Sequence, residues 1–576
     1  MDSYFMDLYR TRLYLPLTLL LLAYWFIPSV RKAVAGAAEW IDHRKTWVMA
    51  LVCAAVSFFF CVGVIYQGKS WGGDFSQYFA QARAIVTGTI PEWYERNIFI
   101  IDNSCVIGAD VYPWMWALMI APIYAIFHSF PIMLLKVYEA ALMAVGSAVL
   151  VYFMRRRLPL SRAVFLSCFV LWNYVYIMDV NATDADLVSF FWGIVALNFV
   201  DLYLVRRRNL PDGSMVKTLL CGLCSGAAIC GAVMTKTLCV GLLLALLAYD
   251  VVCLVRQLLA GRKARLYGKS NIGNTRQRVW IRWIIVSLIP YMSYKLCMSA
   301  CNYLLLPSGG SYKDYFTFSG WRFSYGIQKY YEIFQWFFGS GVRPIISVIV
   351  CVCGTALLIL TVIGIITSVF LQRKERELYY GFYVCGMILM LLFYDYYRAY
   401  FVLTFYPLMI LFAYYAMQWI VGFVGSRCGG GVATAEEGMQ HRASFTNGFR
   451  NICWSLAMAA LLLTLAQSLT AVYAVQIKGY NMNEVMTEDA QETFAYIREN
   501  VDSDKVVYFL KPRVLYLYTD VYSFYWDDDN PDRLELADYV LMSVYNTQDN
   551  IQNVLDHSGE YEIVFQNDRF TLYQKN

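Results

Sequence analysis

Twelve long apolar stretches constrain this chain more than any other feature. Runs near 13–30, 47–66, 132–153, 162–180, 186–205 and 217–235 each approach the length that crosses a hydrocarbon core. Six more lie near 237–255, 280–304, 343–370, 379–394, 400–424 and 451–474. A core of about 30 Å takes about 20 helical residues, and in lipid the helix satisfies every backbone polar group within one segment. Composition agrees: of 576 residues 59% are hydrophobic and 15% charged, against about 25% charged in soluble domains. The expected fold is a polytopic α-helical membrane protein of about 11–12 transmembrane helices with a small C-terminal soluble α/β domain.

Charge supplies the orientation. Basic residues gather in the loops holding Arg31, Lys32, Arg44 and Lys45; Arg155 to Arg157; Arg206 to Arg208; residues 256–282; Arg373, Lys374 and Arg376; and Arg427, Arg442 and Arg450. Counting spans puts all six on one side, which the positive-inside rule makes cytoplasmic. The first run fits least well, because Arg10 and Arg12 precede it; a re-entrant or interfacial segment is an alternative to a span there. The reading divides the chain into an N-terminal apolar segment and cytoplasmic loop (1–46), a transmembrane module (47–474) with a long external loop at 67–131, and a non-cytoplasmic soluble domain (475–576). The chain is placed in the cell's inner or plasma membrane. Sixteen cysteines fall mostly in apolar runs and read as small buried hydrophobes. The four histidines show no zinc spacing. No nucleic-acid partner is expected.

The external loop contains an amphipathic stretch, 75–86, and a semi-apolar run, 112–127, both able to lie along the interface. In the tail, 488–500 and 547–557 have helical patterns, 505–510 and 539–543 are strand-like, and 561–566 with 569–573 form a hairpin turning at Asn567 and Asp568. The Gly-rich stretch 428–432 belongs to a flexible loop and lacks the features of a phosphate-binding P-loop.

Ionisable groups at a membrane face are costly, so each is a functional candidate. Asp74 follows Gly72 and Gly73 just after a span; its carboxylate can deprotonate an acceptor hydroxyl or hold a metal, or it can merely cap a helix starting at Phe75. Asp179, Asp184 and Asp186 form an acidic turn brought to the same face. Asp184 can cap the following span; Asp184 and Asp186 are candidates for a second acid, an acceptor contact or a divalent-cation site. Lys236 and Arg398 lie at outer helix ends, against the cytoplasmic bias, and suit one phosphate; snorkelling to headgroups is the plain alternative for each. Lys313 and Arg322 are less specific, and Arg83 is expected at lipid headgroups or Asp110.

This arrangement resembles the membrane-embedded GT-C glycosyltransferases, in particular the bacterial branch akin to protein O-mannosyltransferases and aminoarabinose transferases. Residues 73–88, beginning Gly73-Asp74-Phe75-Ser76-Gln77-Tyr78, look like that family's first external loop. Tyr112-Pro113 is similar to its Tyr-Pro-Pro run, with Trp114 in place of the second proline. Thr235-Lys236 resembles its Thr-Arg/Lys element, and Arg398-Ala399-Tyr400 with Pro407 its Arg-Tyr…Pro segment. The tail around 494–518 looks like the soluble domain of many bacterial members. The resemblance implies an inverting glycosyltransferase using a polyprenyl-phosphate sugar donor and a lipid, glycan or protein acceptor at the non-cytoplasmic face. Asp74 would be the general base, Lys236 and Arg398 would hold the donor phosphate, and Gln77, Tyr78, Tyr112 and Tyr400 would line the pocket. A divalent cation is a possible cofactor. A lipid-linked glycan flippase or a cell-envelope glycan polymerase shares the membrane setting; a transporter would be expected to show duplicated halves or helices broken at midplane, and no internal repeat is present.

Overall fold

A computed structural model describes the chain apart from residues 1–15, 17, 73, 106–107, 209–213, 267–272, 309–315, 340–343, 428–434, 527–530 and 545–547, and apart from the side chains of 260–282, 340–346 and 425–447. Arg10, Arg12, Lys313, Arg442 and the Gly-rich stretch lie outside it.

Nine described helices are long and apolar enough to cross a membrane: Thr46–Gly63, Ile132–Arg155, Ala185–Arg208, Met215–Thr235, Thr237–Leu259, Trp283–Leu304, Ser347–Leu371, Tyr406–Val424 and Gly448–Gln476. They agree with nine of the apolar runs.

The other three differ, each for a local reason. Over 13–30 no straight span forms: Thr18–Phe26 and Pro28–Asp42 meet at 98°, with Ile27 extended and Pro28 opening the second helix. Proline offers no N–H and fixes φ near −65°, so it starts a helix more readily than it continues one. The 162–180 run is interrupted: Leu160–Leu171 stops, and Tyr174–Asp179 restarts after Asn173. The Asn173 side chain accepts the Val175 N–H at 3.1 Å and donates to the Phe337 carbonyl at 2.8 Å, so a buried amide occupies the break. Glu375–Leu392 takes in the 379–394 run as far as Leu392, with Glu375, Arg376 and Glu377 in its first turn. The helix expected from residue 400 begins at Tyr406, preceded by the short turn Ala399–Val402.

The loop at 67–131 folds into three helices, Asp74–Thr87, Ile90–Asn103 and Met115–Phe127. The first is buried along most of its length rather than laid against lipid on one face: Phe75, Phe79 and Ala82 have no exposed surface. They share one apolar core with Phe494, Phe509, Val514 and Leu515 of the tail.

That tail is a five-stranded sheet in the order β2-β1-β3-β5-β4, built from β1 (Val506–Tyr508), β2 (Tyr522–Phe524), β3 (Tyr539–Ser543), β4 (Tyr561–Gln566) and β5 (Phe570–Lys575). β1 pairs parallel with β2 and β3, and β5 pairs antiparallel with β3 and β4. Helices Glu488–Asn500, Pro512–Thr519 and Asp549–His557 accompany it. The β4–β5 hairpin and helix 488–500 stand where the residue pattern predicts. β2 and the helix Pro512–Thr519 do not appear in that pattern. Every described cysteine is free.

Candidate active site

The segment leading to Asp74 is tied from two sides. Lys136, buried in the second span, donates from Nζ to the carbonyls of Tyr66 and Gly68 at 2.6 and 2.7 Å. From the tail, Asn481 Oδ1 accepts the Gly68 N–H at 2.8 Å, and the Lys69 carbonyl accepts the N–H groups of Glu484 and Val485. The Trp71 indole packs edge-on against Phe494, Phe509 and Phe570.

Asp74 is the first residue of its helix, where the positive end of the helix dipole favours a carboxylate. Its side chain is solvent-exposed and is not isolated: the Tyr112 hydroxyl donates to Asp74 Oδ1 at 2.8 Å. Tyr78 stacks obliquely on the Tyr112 ring at 5.3 Å. Gln77, one turn further along this helix, is buried and donates to the Asp110 carbonyl at 3.4 Å. Trp114 donates from Nε1 to the Leu306 carbonyl at 2.7 Å and so anchors the loop after another span.

The acidic turn gathers around the start of helix Ala185–Arg208. Asp179, Asp184 and Asp186 bring carboxylate oxygens within 4.8 Å of one another. Asp184 does cap this helix, its Oδ1 accepting the Asp186 N–H at 2.9 Å. Thr183, β-branched and buried, takes φ +48°, a conformation costing about 1–3 kcal/mol; the Trp116 indole donates to its carbonyl at 3.2 Å.

Three cations face this turn. Lys236 pairs with Asp186 and lies over the Phe401 ring at 4.3 Å. Lys69, 1% exposed, donates to the carbonyls of Asn181 and Ala182 and sits over the Phe75 ring at 4.4 Å. Arg398 is exposed and makes no ion pair among the described residues. Burial, then the negative charge of Asp74, raises the Asp184 carboxyl to about 6, against the opposing pull of Lys236, Lys69 and Arg398. Burial lowers the Lys69 ammonium to about 8 despite Asp184, Glu139, Asp179 and Asp74 around it. Asp184 thus lies within electrostatic reach of Asp74, Lys236 and Arg398, and Tyr400 within reach of Asp179, Asp184 and Arg398.

The donor set fits a hard divalent cation, which prefers carboxylate oxygens, and the two oxygens of Asp179, a buried residue, have no partner at hydrogen-bond distance and angle among the described residues. The Lys236 ammonium already neutralises Asp186, so a cation and Lys236 compete for that carboxylate.

Two expectations need correction. Arg83 meets neither headgroups nor Asp110: it pairs with Asp520 at 2.6 Å and donates to the Leu517 carbonyl at 3.1 Å. Arg322 is not a loop charge: it is 9% exposed, pairs with Asp395 at 3.0 Å and lies 4.8 Å from the Tyr397 ring. Sequence reasoning also passed over Lys69, Lys136, Glu139 and Arg513. Lys136 and Glu139 carried a visible signal, two ionisable residues one turn apart inside an apolar span. Lys69 and Arg513 carried none, since both lie outside the apolar runs of membrane-spanning length, where a charge is ordinary.

No family model matches this chain, and no curated protein does. Among solved structures, ArnT from Cupriavidus metallidurans bound to undecaprenyl phosphate is similar over 91% of this chain and 97% of its own, at 12% identity and TM-score 0.47. The apo oligosaccharyltransferase of Archaeoglobus fulgidus is similar over 88% of this chain and 70% of its own, at 11% identity and TM-score 0.49. The archaeal oligosaccharyltransferase AglB from Archaeoglobus fulgidus, in complex with an inhibitory peptide and a dolichol-phosphate, is similar over 86% of this chain and 69% of its own, at 10% identity and TM-score 0.48.

Proposed function

We propose that this chain transfers a sugar from a polyprenyl-phosphate donor to an acceptor hydroxyl at the non-cytoplasmic membrane face, with inversion. The observation that carries this reading is the placement of Asp74. It is an exposed carboxylate held by the Tyr112 hydroxyl at 2.8 Å, within electrostatic reach of an acidic turn that also faces Lys236 and Arg398. The motifs around positions 74, 112, 236 and 398 support it, as does the cytoplasmic bias of the basic loops, which puts these residues on the other side.

In the step proposed, Asp74 takes the acceptor O–H proton as that oxygen bonds to the anomeric carbon. The bond from the anomeric carbon to the phosphate oxygen breaks, and its electron pair leaves with the lipid phosphate. The anomeric centre gains cationic character as the leaving group departs, so the attacking hydroxyl grows more acidic and a carboxylate suffices as base. Attack opposite the departing phosphate inverts the configuration. Lys236 and Arg398 offset the charge gained by the phosphate. For Lys236 to turn to a phosphate it must share or release Asp186. A divalent cation bound by Asp179 and Asp184 would add positive charge at the same place. The acceptor is a lipid, glycan or protein hydroxyl.

The test is Asp74→Asn in membranes supplied with labelled polyprenyl-phosphate sugar. The amide keeps the shape and loses the base, so turnover should fall by about 10²–10⁴-fold with donor binding retained. Normal turnover in this variant refutes the mechanism. Movement of labelled lipid across the bilayer without transfer would favour the flippase reading instead.

A further inference from the structure

The first helix of the external loop and the tail meet at a buried arginine. Arg513, near the start of helix Pro512–Thr519, is 7% exposed and forms no ion pair among the described residues. Each of its three nitrogens donates to a neutral acceptor of the external loop: Asn97 Oδ1 at 3.1 Å, the Tyr112 hydroxyl oxygen at 3.2 Å and the Ala109 carbonyl at 3.0 Å. Its guanidinium also lies 5.1 Å from the centre of the Tyr112 ring.

A cation withdrawn from water without a carboxylate partner costs free energy unless a negative charge lies close by. Here the charge is one hydrogen bond further on. Arg513 donates to the Tyr112 oxygen, and the same hydroxyl donates its proton to Asp74 Oδ1 at 2.8 Å. A phenol oxygen that accepts from a cation is a stronger donor through its own O–H, because successive hydrogen bonds polarise one another. Gly108 lets the loop backbone approach this hydroxyl closely: a methyl group there would collide with it.

We infer that Arg513 is a positioning residue for Asp74, acting through Tyr112, so that the C-terminal unit completes the catalytic centre rather than only covering it. With Oδ1 held by Tyr112, the other carboxylate oxygen is left to face the acceptor. The docking contacts agree with that role, since each brings the tail to the helix that carries Asp74 or to its neighbour. Arg83 joins Asp520 at 2.6 Å, and Arg96 donates to the carbonyls of Ser503, at 3.0 Å, and Asp520, at 2.5 Å.

This inference rests on the general-base reading of Asp74, and its test keeps the two apart. Tyr112→Phe removes one oxygen and leaves the Asn97 and Ala109 contacts of Arg513 in place, so the tail stays docked. Arg513→Gln removes the charge and Arg513→Lys retains it. In membranes, with labelled donor, Tyr112→Phe and Arg513→Gln should each lower kcat by about tenfold with the donor KM unchanged. The double variant should fall no further than the worse single one, because the three groups act as a unit. Arg513→Lys should recover part of the loss. Wild-type kcat in Tyr112→Phe, multiplicative losses in the double variant, or an effect confined to KM would each overturn the assignment. Asp74→Asn is assayed alongside. If it turns over normally, the sugar-transfer reading fails. If it is inactive while Tyr112→Phe keeps full kcat, only the positioning role fails.

Discussion

Glu484 in the tail accepts the backbone N–H of Trp71 through Oε2 at 2.7 Å, three residues before Asp74. The contact spans 413 positions of sequence and places a side chain of one unit on the main chain of the other. Truncation to Glu484→Ala leaves the Trp71 N–H without its acceptor, which costs about 1–3 kcal/mol. The measurable outcome is a lower unfolding temperature for the tail, or earlier proteolytic release of it from detergent-solubilised protein. Turnover should drop in parallel, since the segment carrying Asp74 loses a tether. Glu484→Gln keeps an oxygen acceptor and should stay within a few tenths of a kcal/mol of wild type.

Lys236 and Asp186 should show opposite effects on the donor. Lys236→Ala and Arg398→Ala each remove a charged hydrogen-bond donor, worth about 1.5–3 kcal/mol, so donor KM should rise by about 10–150-fold in each. Asp186→Asn frees the Lys236 ammonium from its ion pair and removes a negative charge, so a polyprenyl phosphodiester should bind more tightly. Unchanged donor affinity in all three variants would remove the phosphate from this end of the molecule.

Asp184 should leave its mark on pH dependence. With its carboxyl raised to about 6, the group is charged at pH 7.5 and neutral at pH 5. Protonation removes a negative charge beside the phosphate cations, so affinity for an anionic donor should rise as pH falls through 6. A phosphodiester ligand does not titrate in this window, which leaves the protein as the source. Asp184→Asn keeps a good helix-capping side chain and should bind with acid-like affinity at every pH. A pH slope identical to wild type would place the titrating group elsewhere.

A second ionic cluster at the opposite, basic end of the bundle is structural. Asp201 has no exposed surface; it takes Arg156 and Arg157 at 2.5 Å each and the Tyr380 hydroxyl at 2.9 Å. Glu377 adds a second carboxylate to Arg157 at 3.2 Å. Removing one partner of a buried ion pair typically costs about 3–5 kcal/mol because the other charge stays behind. Asp201→Ala should therefore lower thermal stability strongly, while material that remains folded keeps its donor KM.

Much of the fold is legible in the residues because lipid allows so few solutions. A run such as 217–235 is helical since nothing else satisfies its backbone in hydrocarbon. The failures sit where one side chain competes with that rule: Pro28 at a corner, Asn173 filling a break, Glu375 to Glu377 charging a helix start. In the tail, the β4–β5 hairpin reads from alternation and an Asn-Asp turn, whereas β2, three residues long, is too short to show a period.

At the candidate site, the amino-acid order alone determined which residue types stand at these helix ends: Asp74, Asp184, Asp186, Lys236 and Arg398 are each conspicuous as charges beside apolar runs. Which of them touch was decided only by the tertiary structure, because hydrogen bonds and ion pairs act within a few ångströms and are blind to separation along the chain. Lys236 finds Asp186 50 residues away in sequence, and Tyr112 is reached by an arginine 401 positions later. Arg513 looks like an ordinary polar residue of a soluble domain until the packing of that domain removes its water and leaves Asp74 as the charge at the end of its hydrogen bonds.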